Sequence, residues 1–235
     1  MKTIVVTPTY NEAENLPKLV DEILSLGLRD LEILIVDDNS PDGTGQIADQ
    51  LQEKYPRQVE VIHRQGKLGL GTAYVTGFTR ALEKGAETII EMDADFSHSP
   101  QSIPGLVDKI KDYDVVIGSR YISGGEVDPN LSLWRRFLSR AGNSYVRLIT
   151  GLKVRDATSG FRCFKREVLQ GIDLSRVRST NYAFQIEMAY RCQRKGYRLA
   201  EVPISFRARS RGQSKISWGI IGEALWRAWQ IRLRH

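Results

Sequence analysis

Cysteine is nearly missing from this chain of 235 residues, which has only Cys163 and Cys192. Neither belongs to a CxxC pair, and two thiols cannot build a disulfide framework for a chain this long, so both are expected to be reduced and partly buried. No apolar run reaches about 18 residues, so a membrane-spanning helix is not expected. The first residues lack a basic stretch leading into a long apolar one, so no signal peptide is expected either. Glycine and proline are scattered, and there is no repeat, low-complexity tract or evident linker. This length suits one substantial core with a small appendage better than two full domains. A strong charge bias is absent as well. Lys and Arg number 34 against 28 for Asp and Glu, giving a formal net charge of +6. That surplus fits nucleotide phosphates, anionic lipid or nucleic acid and selects none of them.

What is present is an alternation of apolar runs and amphipathic stretches. Residues 3–6, 31–36, 59–62, 88–92 and 115–117 read as strands. Between them, residues 15–27 carry a stripe of Leu16, Leu19, Val20, Ile23 and Leu24. Helical patterns around Ile47–Leu51, over 70–84 and over 103–110 fill the other gaps. Solid apolar strands spaced by such helices predict an α/β fold with a mostly parallel central sheet covered by helices on both faces. The second half is less regular. A helix is expected over 131–150, with Trp134, Leu138, Ala141, Tyr145 and Leu148 on one side and Arg136, Arg140 and Arg147 on another. A loop at 155–160, a strand at 161–164, a helix through 186–195, a strand at 198–203, a basic loop at 206–215 and a helical tail at 216–235 follow.

Polar clusters fall after residues 6, 36, 92 and 117, where parallel sheets gather ligands at strand carboxyl ends. The sharpest is Asp93-Ala94-Asp95. Two carboxylates so spaced reach one hard cation, Mg²⁺ or Mn²⁺, whose shell is completed by substrate phosphates. A solvated turn with Asp95 capping the next segment is the alternative. Asp37 and Asp38 precede turn residues and suit either a turn or hydrogen bonds from a base or ribose. Tyr10 suits stacking on a base or packing on the next helix. The glycines of residues 66–71 permit close backbone approach to an anion, but the spacing is not that of a triphosphatase loop.

The ordered set TPTYNE (7–12), VDDNSPDGT (36–44), GKLGLGTAY (66–74), DADFSHSP (93–100), GSRYISGG (118–125) and DATSGFRCF (156–164), with the loop 206–215, resembles the dolichol-phosphate and polyprenol-phosphate mannosyltransferases of inverting glycosyltransferase family 2. The likeness covers nearly the whole chain. It implies a nucleotide-sugar-binding glycosyltransferase A fold and a divalent cation, Mg²⁺ or Mn²⁺, held by Asp93 and Asp95, with Ala94 between them. Pro8, Tyr10, Glu12 and Asp38 would line the nucleoside pocket, with Lys67 nearby. Many relatives carry glutamine where Ser97 stands here, which puts that position's contribution in question. The expected donor is GDP-mannose, and the expected acceptor is a dolichyl or polyprenyl phosphate. Residues 1–215 would form one catalytic domain, with a nucleotide-binding half (1–120) and an acceptor-binding half (121–215), followed by an amphipathic helix at 216–235.

A lipid phosphate arrives anionic, so the chemistry calls for positive charge around it rather than for a base. Asp95, Arg120, Arg140, Arg209 and Lys215 are the candidate catalytic residues, the four cations clamping donor and acceptor phosphates. The family pattern F-x-x-R-x-x-G-x-S-K maps onto Phe206, Arg209, Gly212, Ser214 and Lys215. The resemblance places Asp156 near the active site without assigning it a proton transfer, and a structural role, bonding an arginine or loop amides, is the alternative reading. Trp218, Trp226 and Trp229, with Arg227, Arg232 and Arg234, suit either a lipid interface or packing on the protein. Peripheral association at the cytoplasmic face of a membrane, with or without an anchoring partner, is the expected location. Rival readings are transfer of glucose or another hexose from a UDP-sugar to polyprenyl phosphate or a glycan, and a nucleotidyltransferase, which would need a glycine-rich amino-terminal loop. Binding of nucleic acid is not expected, because no exposed aromatic sheet or free basic helix is evident.

Overall fold

A computed structural model describes residues 1–177, 181–207 and 226–233. The chain runs β1 (Thr3–Thr9), α1 (Leu16–Leu24), β2 (Leu31–Asp37), α2 (Thr44–Lys54), β3 (Val59–His63), α3 (Leu70–Glu83), β4 (Thr88–Glu91), α4 (Ile103–Lys109) and β5 (Val115–Ser119). It continues through β6 (Glu126–Val127), α5 (Leu133–Thr150), β7 (Arg162–Lys165), α6 (Arg166–Gly171), α7 (Asn181–Arg194), β8 (Leu199–Pro203) and β9 (Ser205–Phe206).

The main sheet has seven strands in the order β3-β2-β1-β4-β7-β5-β8, and β6 with β9 forms a separate two-stranded sheet. β1 pairs in parallel with β2 and β4, β2 with β3, and β5 with β8. β7 runs antiparallel between β4 and β5. The expected glycosyltransferase A fold with one mostly parallel central sheet is corrected here: the strands divide between two sheets and β7 is reversed. An apolar run does not encode its own direction, and a two-residue strand has no alternation to detect, so neither feature is visible in periodicity.

Strand residues alternate between two cores. Ile4, Val6, Leu34 and Val36 pack with Phe78, Phe164 and Phe184 on one face. Val5, Ile33, Ile35, Ile90 and Val116 pack with Leu16, Leu19, Ile23 and Leu106 on the other. Successive side chains of a strand point to opposite faces, and that geometry produces the division. Helix α3 approaches β1 so closely at Gly77 that a Cβ there would collide with Val6 Cγ1 and sit 3.2 Å from Val36 Cγ2. Both cysteines are free and buried.

At the far end of the chain, the helical residues 226–233 lie on α5. Trp229 Nε1 donates to Tyr145 Oη at 3.0 Å, Arg232 donates to the Ile149 carbonyl, and Ala228 and Ile231 are buried. Trp226 and Leu233 of the same segment are exposed. No helix among the described residues is long and apolar enough to cross a membrane.

Replacing Gly77 by alanine raises helix propensity but forces a methyl into the β1 surface. The expected outcome is a net loss of about 1–3 kcal/mol, typical of an overfilled core, read from urea unfolding; an unchanged or raised midpoint would contradict the close approach.

Candidate active site

The carboxyl ends of β1, β2, β4 and β5 share one edge of the main sheet. Chain order reverses between β1 and β4, the switch point at which such sheets bind ligands. β7 is antiparallel and so begins at this same edge: Arg162 is in register with Glu91 of β4 and Ile117 of β5. The loop ahead of it, residues 156–160, thereby arrives beside the acidic strand end.

On the β1–β2 side, Asp37 is fully engaged in shaping the turn, accepting from Thr9 Oγ1 at 3.0 Å, Ser40 Oγ at 2.6 Å and Ser40 N at 3.1 Å. Asp38 is buried against Arg64, whose Nη1 donates to Oδ1 at 2.6 Å, while Leu68 N donates to Oδ2 at 3.2 Å. Arg64 was not among the residues expected from the sequence. Lys67 Nζ stands 3.9 Å from the centroid of the Tyr10 ring, a cation–π contact. Pro8 follows in β1 register opposite Val36. Glu12 is turned to the entrance of α1, where Oε2 accepts from Asn15 Nδ2 at 2.7 Å and its amide donates to Thr44 Oγ1 at 2.9 Å.

The acidic turn follows β4. Tyr74 Oη donates to Asp93 Oδ1 at 2.7 Å, and Asp95 Oδ1 accepts from Ser97 N at 2.9 Å, so Asp95 also makes the turn contact allowed for it in the sequence. Phe96 holds a φ of 57°, costly for a bulky residue and characteristic of functional loops. His98 is buried, stacked on Phe161 and edge-on to Phe206. Burial, and then the charge of Arg120, pull its pKa down to about 4, which keeps the ring neutral near pH 7. Ser97 contributes main chain here: its carbonyl accepts from Arg207 N at 3.2 Å, which lays the start of the basic loop against the acidic turn. Among the described residues, no group of three or more His, Cys, Asp and Glu side chains is arranged to hold a metal ion. Two carboxylates at one strand end nevertheless match the oxygen chemistry of Mg²⁺ or Mn²⁺ when phosphates complete the shell.

Arg120, just past β5, and Asp156, in the loop ahead of the neighbouring β7, form a clasp. Arg120 Nε and Nη2 donate to Asp156 Oδ2 and Oδ1, each at 2.7 Å, and its amide adds a bond of 3.0 Å. Thr158 Oγ1 takes a further Nη2 bond at 2.9 Å and is itself held by Asn143 of α5. Burial alone would push the Asp156 carboxyl up, but hydrogen bonds and charge from Arg120 outweigh it and hold the pKa below its ordinary value. Asp156 is thus the arginine's partner. Arg140 lies on α5 three residues before Asn143 and is exposed. The Arg120 guanidinium also lies 5.1 Å from the Phe206 ring centroid. Arg209 and Lys215, with Gly212, Ser214 and Trp218, fall outside the described residues.

Beneath this edge sits a pair the sequence reading passed over. Arg162 and Glu91 have no exposure, with Arg162 Nε 3.6 Å from Glu91 Oε1. Arg162 also donates to the carbonyls of Ser159, Gln185 and Ala157 at 2.9, 2.7 and 2.8 Å. The one available signal was a charged residue inside an otherwise apolar strand. Burial, opposed by Arg162 and reinforced by Asp93, pushes the Glu91 carboxyl up to about 8. The unfolded chain loses this proton near pH 4.5 while the folded chain keeps it to about 8, so the contribution to stability is complete below that window and is lost as pH rises through it. Urea midpoints of the wild type should therefore decline from about pH 5 to 8 relative to those of Glu91→Gln; parallel curves would contradict the raised pKa.

Comparison with known proteins shows the family. The glycosyl transferase family 2 model matches residues 4–172. The chain is 45% identical, over 99% of its length and 88% of the relative's, to polyprenol monophosphomannose synthase of Mycolicibacterium smegmatis. It is 44% identical, over 96% of its length and 91% of the relative's, to undecaprenyl-phosphate mannosyltransferase of Micrococcus luteus. Among solved structures, mannosyl-3-phosphoglycerate synthase from Rubrobacter xylanophilus superposes with a TM-score of 0.73 at 22% identity, covering 100% of this chain and 74% of that one. At that identity the likeness is one of fold alone. The chain belongs to glycosyl transferase family 2 and is a glycosyltransferase closely related to the polyprenyl- and dolichyl-phosphate mannosyltransferases.

Proposed function

We propose that this enzyme transfers mannose from GDP-mannose to a dolichyl or polyprenyl phosphate with inversion at the anomeric carbon, and that Asp93 and Asp95 hold Mg²⁺ or Mn²⁺. The observation that carries the reading is the meeting of opposite chemistries on one edge. The acidic turn and the Arg120–Asp156 clasp are joined there by Phe206, which touches both His98 and Arg120. The mannosyl and lipid-phosphate activities named for the two bacterial relatives support the choice of donor and acceptor. When bound, the cation supplies Lewis-acid neutralisation of the departing diphosphate. The protein's own residues do the rest. Asp38, Tyr10, Pro8, Glu12 and Lys67 receive the nucleoside, with residues 1–120 serving as the donor half.

The acceptor needs no base, because its second ionisation lies near pH ~6. A phosphate oxygen attacks the anomeric carbon in line, the bond to the diphosphate breaks, and GDP leaves. Two anions must approach for this to happen. Arg120, oriented by Asp156, would meet that repulsion together with Arg140, Arg209 and Lys215 in the acceptor half, 121–215. Fixed charges aimed at developing negative charge are often the largest contribution to such catalysis.

The lipid tail requires a membrane surface. Leu133, Trp134 and Phe137 at the start of α5 are 80%, 60% and 61% exposed, next to Arg135, Arg136 and Arg140. Apolar rings beside cations suit the headgroup boundary of an anionic bilayer. Peripheral attachment at the cytoplasmic face is part of this reading; of the expected carboxy-terminal helix, residues 216–225 and 234–235 lie outside the described residues.

With a short polyprenyl phosphate as acceptor, GDP-mannose should support turnover and UDP-glucose and UDP-N-acetylglucosamine should not. Chelation should abolish transfer, and full activity with a UDP-sugar would replace the proposed donor. Arg209→Ala should lower turnover more than about tenfold while calorimetric GDP binding stays intact; equal losses in both would refute its acceptor-side role. The double substitution Trp134→Ser/Phe137→Ser should weaken sedimentation with anionic vesicles about tenfold or more, since each buried aromatic contributes ~1.5–3 kcal/mol. Unaltered sedimentation would move the contact elsewhere.

A further inference from the structure

Residues 151–161, between α5 and β7, belong to no helix or strand. Side chains from elsewhere must therefore satisfy the amides of this loop and set its course. Two of them, from different elements, take three successive amides. Glu201 of β8 accepts from Arg155 N at 2.8 Å through Oε2 and from Asp156 N at 2.9 Å through Oε1. Asn143 of α5 accepts from Ala157 N at 3.0 Å through Oδ1.

Asn143 is 4% exposed, and its Nδ2 donates to the Ser139 carbonyl at 3.2 Å and to Thr158 Oγ1 at 3.1 Å. An amide N–H can only donate and a carbonyl can only accept, so these partners allow the side chain one orientation. Thr158 Oγ1 then accepts from Asn143 and from Arg120 Nη2, which leaves its own proton for Asp156 Oδ1 at 3.3 Å. Donors and acceptors thus run in one sense from α5 to the clasp. Glu201 reaches the same place by another route. It stands in register with Ile117 of β5, three residues before Arg120. The strand pair that delivers Arg120 therefore also carries the carboxylate that fixes the Asp156 amide.

We infer that Asn143 and Glu201 are positioning residues for phosphate handling: by gripping amides 155–157 from α5 and β8, they set where Asp156 and Thr158 present the Arg120 guanidinium. They act through Arg120 and not on the reacting atoms. The inference rests on the role for Arg120 proposed above and deepens it. Asp156 and Thr158 are among several contacts of Arg120, which also meets the rings of Tyr121 and Phe206. Loosening the loop should therefore shift the guanidinium rather than release it. A misplacement of ~1 Å in a catalytic arrangement costs up to ~100-fold in rate.

The test is turnover of GDP-mannose with a short polyprenyl phosphate, with GDP binding by calorimetry and thermal midpoints recorded for each variant. Arg120→Ala serves as the reference and should lower kcat/KM for the acceptor by ~100-fold or more. Asn143→Ala should lower it about tenfold or more. Glu201→Gln, which keeps the shape and one acceptor, should lower it several-fold, and GDP affinity should stay within about twofold in both variants. Placed in the Arg120→Ala background, each substitution should cost no more than about twofold further, because its route of action is already gone. A merely structural residue would lower the thermal midpoint, and its loss would multiply with that of Arg120→Ala. That outcome, or turnover within about twofold of wild type, overturns the assignment of the residue concerned and leaves the role of Arg120 standing. Acceptor kinetics of Arg120→Ala close to those of wild type overturn the phosphate role of Arg120, and this inference with it.

Discussion

A guanidinium with no solvent exposure, that of Arg162, holds together the parts that the chemistry needs side by side. It gathers the carbonyls of Ala157, Ser159 and Gln185 and faces the Glu91 carboxyl. Those contacts span the loop that carries Asp156, helix α7 and the last residue of β4. Without the arginine, three buried carbonyls would lose their donor, and each buried polar group left unsatisfied costs about 1–3 kcal/mol. Its position at the start of the antiparallel β7 brings the 156–160 loop to the carboxyl edge of the sheet. A parallel strand in that place would have begun at the opposite edge.

The edge then divides electrostatic labour. Carboxylates cluster at the end of β4, and a guanidinium is clasped at the end of β5. Asp156 does not cancel Arg120 so much as orient it, because a bidentate pair fixes the plane of the fork. Glu91, raised to about 8, stays largely neutral near pH 7 and so adds little negative charge beneath Asp93. Phe206 lies between the acidic turn and the clasp, and Arg207 is bonded to Ser97. The basic loop therefore starts from the acidic turn itself.

Much of the frame was legible because burial writes itself into strands. Residues 31–36, apart from Glu32, and 115–117 are apolar runs and became β2 and β5, and the stripe of Leu16, Leu19, Val20 and Ile23 is the buried face of α1. The acidic turn, Asp38 and Arg120 were legible because polar residues interrupt those runs at strand ends. The reversal of β7 was not, since Arg162–Lys165 looks the same in either direction. The two-residue strands β6 and β9 were too short to show a period. Tyr74 was hidden for another reason: on α3 it reads as one more member of an apolar stripe, and only the fold reveals that its hydroxyl meets Asp93. Glu91 and Arg162 are far apart in sequence, and nothing local announces their pairing.

Everything rests on the acidic turn of β4 being where the nucleotide diphosphate is gathered. Crystals grown with Mn²⁺ and GDP allow that to be seen through anomalous scattering from manganese. The account predicts a manganese peak at the carboxylates of Asp93 and Asp95 with the diphosphate beside it. A peak elsewhere, or a diphosphate seated away from that turn, would contradict it.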